Sequence, residues 1–341
     1  MSATVDVAVI GATGAVGEAL VQVLEERDFP LKTLHLLGVD EAVGHSVTFR
    51  GKNLRVRAAD EFDFANVQVA FFVDEADVTR ECLEAVRRGG CAVIDLSAGL
   101  PAGQAPIVVA DVNPQVMASL KAPYWVSSPA AVSVALSCVL AAIAGQVEVT
   151  RASVTACLAV SSRDRQGVTE LARQTAELLN ARAMEPRLFD RQIAFNLLAQ
   201  VEEPDSSGHG ALERRIGNEL KTLLTRPQLK VAVTCIQAPV FFGDSLNVSL
   251  QTEAAVDIPA VCAALDASPA IEYVEPGDYP TAVGDAVGQD VIYVGRVRGG
   301  IEDEREVNLW ITSDNVRKGT AVNAVQLAEL LIKDHLSKIL T

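Results

Sequence analysis

The sequence is short of positive charge. Its 29 lysines and arginines stand against 44 aspartates and glutamates, which gives a formal net charge of −15. Without a basic stripe a protein has little to hold a phosphate backbone, so we expect no nucleic-acid partner. No apolar run reaches the roughly 18 residues that a membrane span needs, and no cationic segment precedes the first predicted strand. We therefore expect no membrane association and a cytoplasmic location.

Residue patterns typical of disulfides and metal sites are also missing. The six cysteines show no CxxC spacing and lie mostly in apolar segments, as reduced core cysteines do. The four histidines are scattered and form no HExxH motif. We expect neither disulfides nor a bound metal.

What the sequence does have is enough apolar material for two domains. The chain has 341 residues, 49% of them hydrophobic, which exceeds one average domain. In the first half, short apolar strands alternate with helical segments, which predicts a doubly wound parallel sheet. These strands are Val5–Ile10, Thr33–Leu37, Val69–Val73 and Cys91–Asp95. From about Arg151 the strands are longer and several alternate apolar with polar residues, which predicts a second, α+β domain.

A glycine-rich turn joins the first strand to the first helix. Glycines permit a tight turn and let the backbone approach a pyrophosphate, which then rests on the helix N-terminus. The turn therefore predicts a dinucleotide site, with a ligand-free glycine turn as the alternative. The predicted cofactor-binding residues are Gly11, Thr13, Gly14, Ala15, Val16 and Gly17.

An acidic residue, Asp40, follows the second strand. In a dinucleotide fold a carboxylate there accepts hydrogen bonds from the ribose diol and repels a 2′-phosphate. NAD or NADP can serve as cofactor, and Asp40 favours NAD. The alternative is an ordinary solvated loop carboxylate.

The junction between the two halves, Val126–Ser133, opens a helix predicted to run from Ser133 to about Gly145. A helix N-terminus lowers the pKa of a nucleophile and holds an oxyanion, so a reactive group is expected at such a junction. The residues found there are Ala130 and Ala131.

Four sequence blocks carry a resemblance to a known family: Gly11–Gly17, Val109–Asn113, Gln237–Val240 and Asp314–Gln326. Together they resemble the aspartate-β-semialdehyde dehydrogenases almost end to end. The resemblance implies a Rossmann-type domain completed by the C-terminal helix and a glyceraldehyde-3-phosphate dehydrogenase-like α+β domain that forms a homodimer. It implies domains at 1–127 plus 322–341 and at 128–321. The family reaction is NADP-dependent and proceeds through a cysteine thioester.

The resemblance also shows which family residues are exchanged. The nucleophilic cysteine matches Ala131, the acid/base histidine matches Asp244, and the substrate-positioning glutamine matches Leu158. The phosphate-binding and carboxylate-binding arginines match Pro101 and Gln237, while Arg215 stands for a lysine. The sequence thus resembles a divergent, Usg-type branch that lacks the catalytic cysteine and histidine, and we predict no catalytic residue.

Two residues near Ala131 in the sequence, Cys138 and Ser133, carry groups that can act as nucleophiles. Cys138, two helical turns after Ala131, is expected to be a core cysteine, and Ser133 to cap the helix or lie in its first turn. An ion pair between Arg215 and Asp244 is the structural interpretation of those two residues.

Three hypotheses follow. The chain has the family fold and dimer without the family chemistry, or it is an NAD(P)-dependent oxidoreductase acting on an aldehyde or another small carbonyl compound, or it is a non-catalytic dimer partner of an active paralogue. In each of them a small-molecule ligand is possible.

Overall fold

The computed structural model describes residues 4–73, 75–101 and 103–336. The chain divides into two compact units. The first comprises Met1–Pro129 and Thr320–Thr341, and the second comprises Ala130–Gly319. Within the described residues no helix has the length and apolar character that a bilayer crossing requires.

The first unit is built on a parallel sheet. Its elements are β1 (Val5–Ile10), α1 (Ala15–Glu26), β2 (Leu31–Gly38), β3 (Ser46–Phe49), β4 (Lys52–Arg55), β5 (Arg57–Ala58), β6 (Val69–Phe72), α2 (Ala76–Gly89), β7 (Ala92–Asp95) and β8 (Trp125–Ser127). The sheet has the order β5-β2-β1-β6-β7-β8, and every pairing in it is parallel. The predicted parallel sheet is confirmed, and β3–β4 forms a separate antiparallel hairpin.

Helices cover both faces of this sheet because its strands are apolar on both sides. Along β1, Val7 and Val9 pack in one core with residues of α1, whereas Ala8 and Ile10 pack in a second core with residues of α2 such as Val86. Such two-sided burial is typical of a doubly wound sheet.

The second unit is built on a mixed sheet. Its elements are α3 (Ala131–Ile143), β9 (Val149–Leu158), α4 (Asp164–Leu179), α5 (Ala211–Leu223), β10 (Lys230–Gln237), β11 (Asp244–Thr252), α6 (Ile258–Asp266), β12 (Ile271–Tyr273), β13 (Ile292–Gly299) and β14 (Glu306–Ser313). The strand order is β10-β9-β11-β14-β13-β12, with parallel pairs β10–β9 and β12–β13 and antiparallel pairs elsewhere. The predicted α/β class is confirmed.

The last helix, α7 (Asn323–Leu331), packs in the first unit's core, with π-helical turns on either side of it. The apolar periodicity of the C-terminal sequence predicts a helix over Ala321–Ile339 with an apolar stripe, and the α-helical part in the structure is shorter. Its predicted apolar stripe is buried at Val325, Ala328, Ile332 and Leu336, while residues 337–341 lie outside the described residues.

Two predicted boundaries were wrong at the junctions that matter for the site. Helix α3 begins at Ala131, two residues before Ser133, because Ala130 adopts the extended N-cap conformation and alanine, the best helix former, follows it. The sequence pattern predicts a strand over Lys230–Val240, but the strand ends at Gln237, since Pro239 has no N–H to continue the ladder.

Candidate active site

The glycine turn of the first unit has the geometry that close approach to a ligand requires. Gly11 has a φ of +89°, and its N–H donates to the carbonyl of Leu37 at 3.0 Å. A Cβ on Gly17 would lie 2.1 Å from the Gly11 carbonyl oxygen, so only glycine lets the helix start pack on the turn. Ala12 is buried, whereas the four residues between it and Gly17 are all half-buried: Thr13, Gly14, Ala15 and Val16.

Asp40 lies beyond the end of β2, the neighbour of β1, so it stands at the same edge of the parallel sheet as the glycine turn. Its side chain is exposed. Its backbone has a φ of +45°, and a short 3-10 turn begins at this residue. The neighbouring strand β5 carries a cationic residue, Arg57, which pairs with Leu37 of β2. The Arg57 guanidinium lies 5.6 Å from the ring centre of Phe62.

The loop that follows β7 and contains Pro101 is stabilised by hydrogen bonds to the side chain of Asp95. This fully buried carboxylate accepts hydrogen bonds from the Ser97 N–H and hydroxyl at 2.9 and 2.6 Å and from the Leu100 N–H at 3.0 Å. Pro101 itself is exposed. This part of the loop is therefore well fixed, but Pro101 carries no charge.

Ala131 is the first residue of α3 and is half-buried. Gly319 packs directly against it, because a Cβ on Gly319 would lie 2.6 Å from the Ala131 Cβ. The N–H of Ala130 donates to Glu219 Oε2 at 3.0 Å, so a carboxylate lies beside the helix start. The methyl group of Ala131 has no nucleophilic character.

Arg215 does not pair with Asp244. Its Nε donates to Glu219 Oε1 at 2.6 Å, which is an i, i+4 ion pair along α5. The predicted Arg215–Asp244 ion pair is wrong, because the buried Glu219 lies on the same face of α5 as Arg215 and accepts the hydrogen bond from its guanidinium.

The other exchanged residues stand in one row across the second sheet. Gln237 pairs with Leu158, Asp244 pairs with Ser313, and the N–H of Ala159 donates to Asp244 Oδ1 at 2.9 Å. All four side chains of the row are buried, with 1–5% of their surface exposed. The structure thus brings Gln237, Leu158 and Asp244 together, while Pro101 and the glycine turn belong to the first unit.

Asp244 is a buried carboxyl, and no cationic side chain among the described residues forms an ion pair with it. Its pKa is raised from 3.8 to about 7, mainly because the group is buried; the hydrogen bond from the Ala159 N–H opposes this rise, and the nearby carboxylate of Asp314 adds to it. Its protonation state therefore changes near neutral pH. The neighbouring amide of Gln237 is also engaged, since its Nε2 donates to the Leu158 carbonyl at 2.9 Å.

The candidate substitute nucleophiles are poorly placed. Cys138 is buried in α3, as expected of a core cysteine. Burial and the charge of Asp244 raise the pKa of the half-buried Cys157 thiol. Ser133 lies in the first turn of α3 and is fully buried, and among the described residues its hydroxyl has no hydrogen-bond partner.

Two residues of this region were missed from the sequence. Glu219 had a local signal, because it follows Arg215 by four residues on a helix. Ser313 had none, since its place beside Asp244 depends on the register of two strands far apart in the chain. Among the described residues no group of three or more His, Cys, Asp or Glu side chains is arranged to hold a metal ion.

Known proteins resemble this chain along nearly its whole length. Residues 6–120 match the semialdehyde dehydrogenase NAD-binding domain, and residues 140–318 match the semialdehyde dehydrogenase dimerisation domain. The USG-1 protein homolog of Pseudomonas aeruginosa is 57% identical over 98% of this chain and 100% of its own length.

Two solved structures are similar to the whole chain. One is a probable aspartate-semialdehyde dehydrogenase from Pseudomonas aeruginosa, with 57% identity, a TM-score of 0.94 and coverage of 98% of this chain and 99% of that one. The other is aspartate semialdehyde dehydrogenase II from Vibrio cholerae complexed with ASA, with 36% identity, a TM-score of 0.94 and coverage of 97% and 99%. The fold, the two matching domains and these relatives together establish that the chain belongs to the semialdehyde dehydrogenase family.

Proposed function

We propose that this protein is a family member that still binds a dinucleotide but has lost the thioester chemistry. The single observation that carries the proposal is Ala131 at the start of α3. A thioester forms only on a thiolate, and a methyl group offers no electron pair to a carbonyl carbon. The family resemblance assigns the nucleophile to this position.

The other exchanged positions support the same conclusion. Asp244 replaces the acid/base histidine and accepts a backbone hydrogen bond from Ala159. Arg215 is neutralised by Glu219, and Gln237 carries no charge. An acyl phosphate or a dicarboxylate would meet carboxylates at Glu219 and Asp244 rather than a pair of cations.

Retained dinucleotide binding is supported by the glycine turn. Gly17 fits only as glycine, and the turn between Gly11 and Gly17 stays accessible at Thr13 and Gly14. We propose NAD as the preferred form because the exposed Asp40 suits a ribose diol and repels a 2′-phosphate. Replacement of Asp40 by serine should lower the ratio of NADP to NAD dissociation constants.

The direct test combines an activity assay with a binding assay. Purified protein is given aspartate semialdehyde, phosphate and NAD or NADP, and NAD(P)H formation is followed. We expect no turnover above the level without enzyme, together with saturable NAD binding by calorimetry. Turnover that disappears on an Asp244→Asn exchange would refute the loss of chemistry, and absent NAD and NADP binding would refute the retained cofactor site.

One alternative is favoured by a specific observation. The intact glycine turn also fits an oxidoreductase that reduces an aldehyde or another small carbonyl compound without a covalent intermediate. Oxidation of NADH or NADPH in the presence of a panel of such compounds would support this alternative, and binding without oxidation would count against it.

We further propose a homodimer formed through the domain that matches the family's dimerisation domain. A non-catalytic partner of an active paralogue would instead co-purify with that paralogue from cells that contain both chains. We also propose a cytoplasmic location, which agrees with six cysteines that form no disulfide within the described residues. Sedimentation of the purified protein tests the dimer.

A further inference from the structure

A cavity of about 390 Å³ lies in the second unit, at the end of the row that contains Gln237. Apolar side chains form part of its wall, among them Leu188, Phe189 and Leu198, and the remainder is polar or charged. Its volume exceeds what a short four-carbon molecule needs, so it suits a small ligand.

The charges that line this cavity are predominantly negative. Asp190, Glu202 and Glu203 contribute three carboxylates, whereas Arg163 contributes the one guanidinium in the lining. The Arg163 guanidinium also donates to the carbonyl of Val201 and is thereby directed at the cavity wall.

The carboxylates differ in how far they are engaged. Asp190 pairs with Arg191 at 2.8 Å, and Glu202 Oε2 accepts the N–H of Leu212 at 2.7 Å. Glu203 is exposed and is the carboxylate least engaged by the described protein groups. It is therefore the group best able to meet a ligand cation.

Gln237 contributes a hydrogen-bond acceptor to the cavity lining and no positive charge. Its Nε2 is directed at the Leu158 carbonyl and lies 3.4 Å from the Ser162 hydroxyl. Its Oε1 has a single long contact, of 3.5 Å, with the same hydroxyl. Where the family resemblance implies an arginine that holds a carboxylate, this cavity offers an amide oxygen.

The cavity walls are fixed in advance. Leu198 and Gln237 exchange two backbone hydrogen bonds of 3.0 and 2.8 Å, which ties the wall to the end of β10. On α4, Gln174 Oε1 accepts the N–H groups of Ile193 and Ala194 at 2.9 and 3.2 Å. A site with such anchored walls loses little conformational entropy when a ligand binds.

We infer that this cavity binds a small aliphatic amine in its protonated form, with the ammonium group on Glu203 and Gln237 Oε1 and the carbon chain against Leu188 and Leu198. The inference rests on the proposed function, because it names the ligand class of a site that has lost the family's anion-binding groups. An ammonium group donates only, so it matches the carboxylate and amide oxygens of this lining, where three carboxylates outnumber the guanidinium of Arg163 and disfavour a bound carboxylate.

The test uses two probes of the same length and opposite charge, 1,4-diaminobutane and succinate, titrated into the full-length protein and followed by NMR. We expect the diamine to bind and succinate not to bind. Glu203→Gln should weaken diamine binding about tenfold, as the loss of one charge-assisted contact does. Glu253→Gln, an exposed glutamate of the same unit outside the cavity lining, should leave it unchanged.

A second variant addresses the exchanged position itself. Gln237→Arg should weaken diamine binding and introduce binding of succinate. Equal affinity for both probes, no diamine binding, or equal effects of the two glutamate variants would overturn the inference. NAD titration of the same samples separates the two proposals. Diamine binding without NAD binding would refute the proposed dinucleotide binding and support the amine site. NAD binding without diamine binding would support dinucleotide binding and refute the amine site.

Discussion

The carboxylate of Glu219 accepts the backbone N–H of Ala130 at 3.0 Å, although the two residues lie 89 positions apart in the chain. This contact satisfies an amide that the α3 start leaves without a helical partner. It also places a negative charge one residue before Ala131. The helix start is therefore stabilised by a carboxylate from α5 and is correspondingly less suited to bind an external anion.

Removal of that carboxylate should destabilise the second unit. Glu219→Ala leaves the Ala130 N–H without its acceptor and Arg215 without its counter-charge, so we expect a loss of about 1–3 kcal/mol in the free energy of unfolding. Urea denaturation measures this loss. Glu253→Ala, at an exposed position, should stay within about 0.5 kcal/mol of the parent protein. Equal effects of both exchanges would show that the Glu219 contact contributes nothing.

Reversion of the two main catalytic positions should restore a thiol but not the reaction. In the double variant Ala131→Cys, Asp244→His we expect new labelling by iodoacetamide at the half-buried position 131. We expect little semialdehyde oxidation, because Pro101, Leu158 and Gln237 still lack the groups that position substrate. Adding Glu219→Gln should speed the labelling, since a neighbouring carboxylate raises the pKa of a thiol. Full activity of the double variant would contradict the prediction.

The buried carboxyl of Asp244 predicts a pH-dependent stability. Its pKa in the folded chain, about 7, lies above the ordinary value of 3.8, so the folded state binds the proton more tightly than the unfolded state. The stability that this group contributes is complete below about pH 4 and is lost as the pH rises through 7, with a total of up to about 4 kcal/mol.

Asp244→Asn tests this dependence and keeps an acceptor for the Ala159 N–H. The difference in unfolding free energy between parent and variant should shift in favour of the variant as the pH rises from about 4 to 8. The exposed Asp60→Asn is the control and should show no such trend. A pH-independent difference for Asp244→Asn would mean that the carboxyl titrates normally.

The glycine turn yields a prediction on cofactor binding. Gly17→Ala would place a Cβ 2.1 Å from the Gly11 carbonyl oxygen, so the turn must shift away from α1. We expect NAD binding to fall below detection by calorimetry while the far-UV circular dichroism is retained. Gly145→Ala, where no atom lies within 4 Å of the added Cβ, should bind NAD like the parent. Unchanged binding in Gly17→Ala would exclude this turn as the dinucleotide site.

The parts of the fold with local signals were predictable from the sequence. The apolar strand β1, the glycines after it and the helix that follows form one continuous pattern, and the structure has all three in the expected order. The apolar stripe of the C-terminal helix was found for the same reason. In each case the residues that define the element are neighbours in the chain.

Features that depend on tertiary contacts were missed. Helix α3 begins at Ala131 rather than at the predicted Ser133, and Glu219 of a distant helix accepts the N–H of the N-cap residue Ala130. The expected Arg215–Asp244 ion pair was wrong for a similar reason, since Arg215 forms its ion pair with Glu219 instead. Such contacts cannot be inferred from spacing along one chain segment.

The cross-strand row of Gln237, Leu158 and Asp244 has a consequence for how exchanges at these positions combine. Because these residues are neighbours across three strands, a change at any one of them meets the present side chains at the other two. An arginine in place of Gln237 alone would face Leu158 and Asp244 rather than the glutamine and histidine that the resemblance implies for those positions. The effects of such exchanges on stability and binding are therefore expected to be epistatic rather than additive.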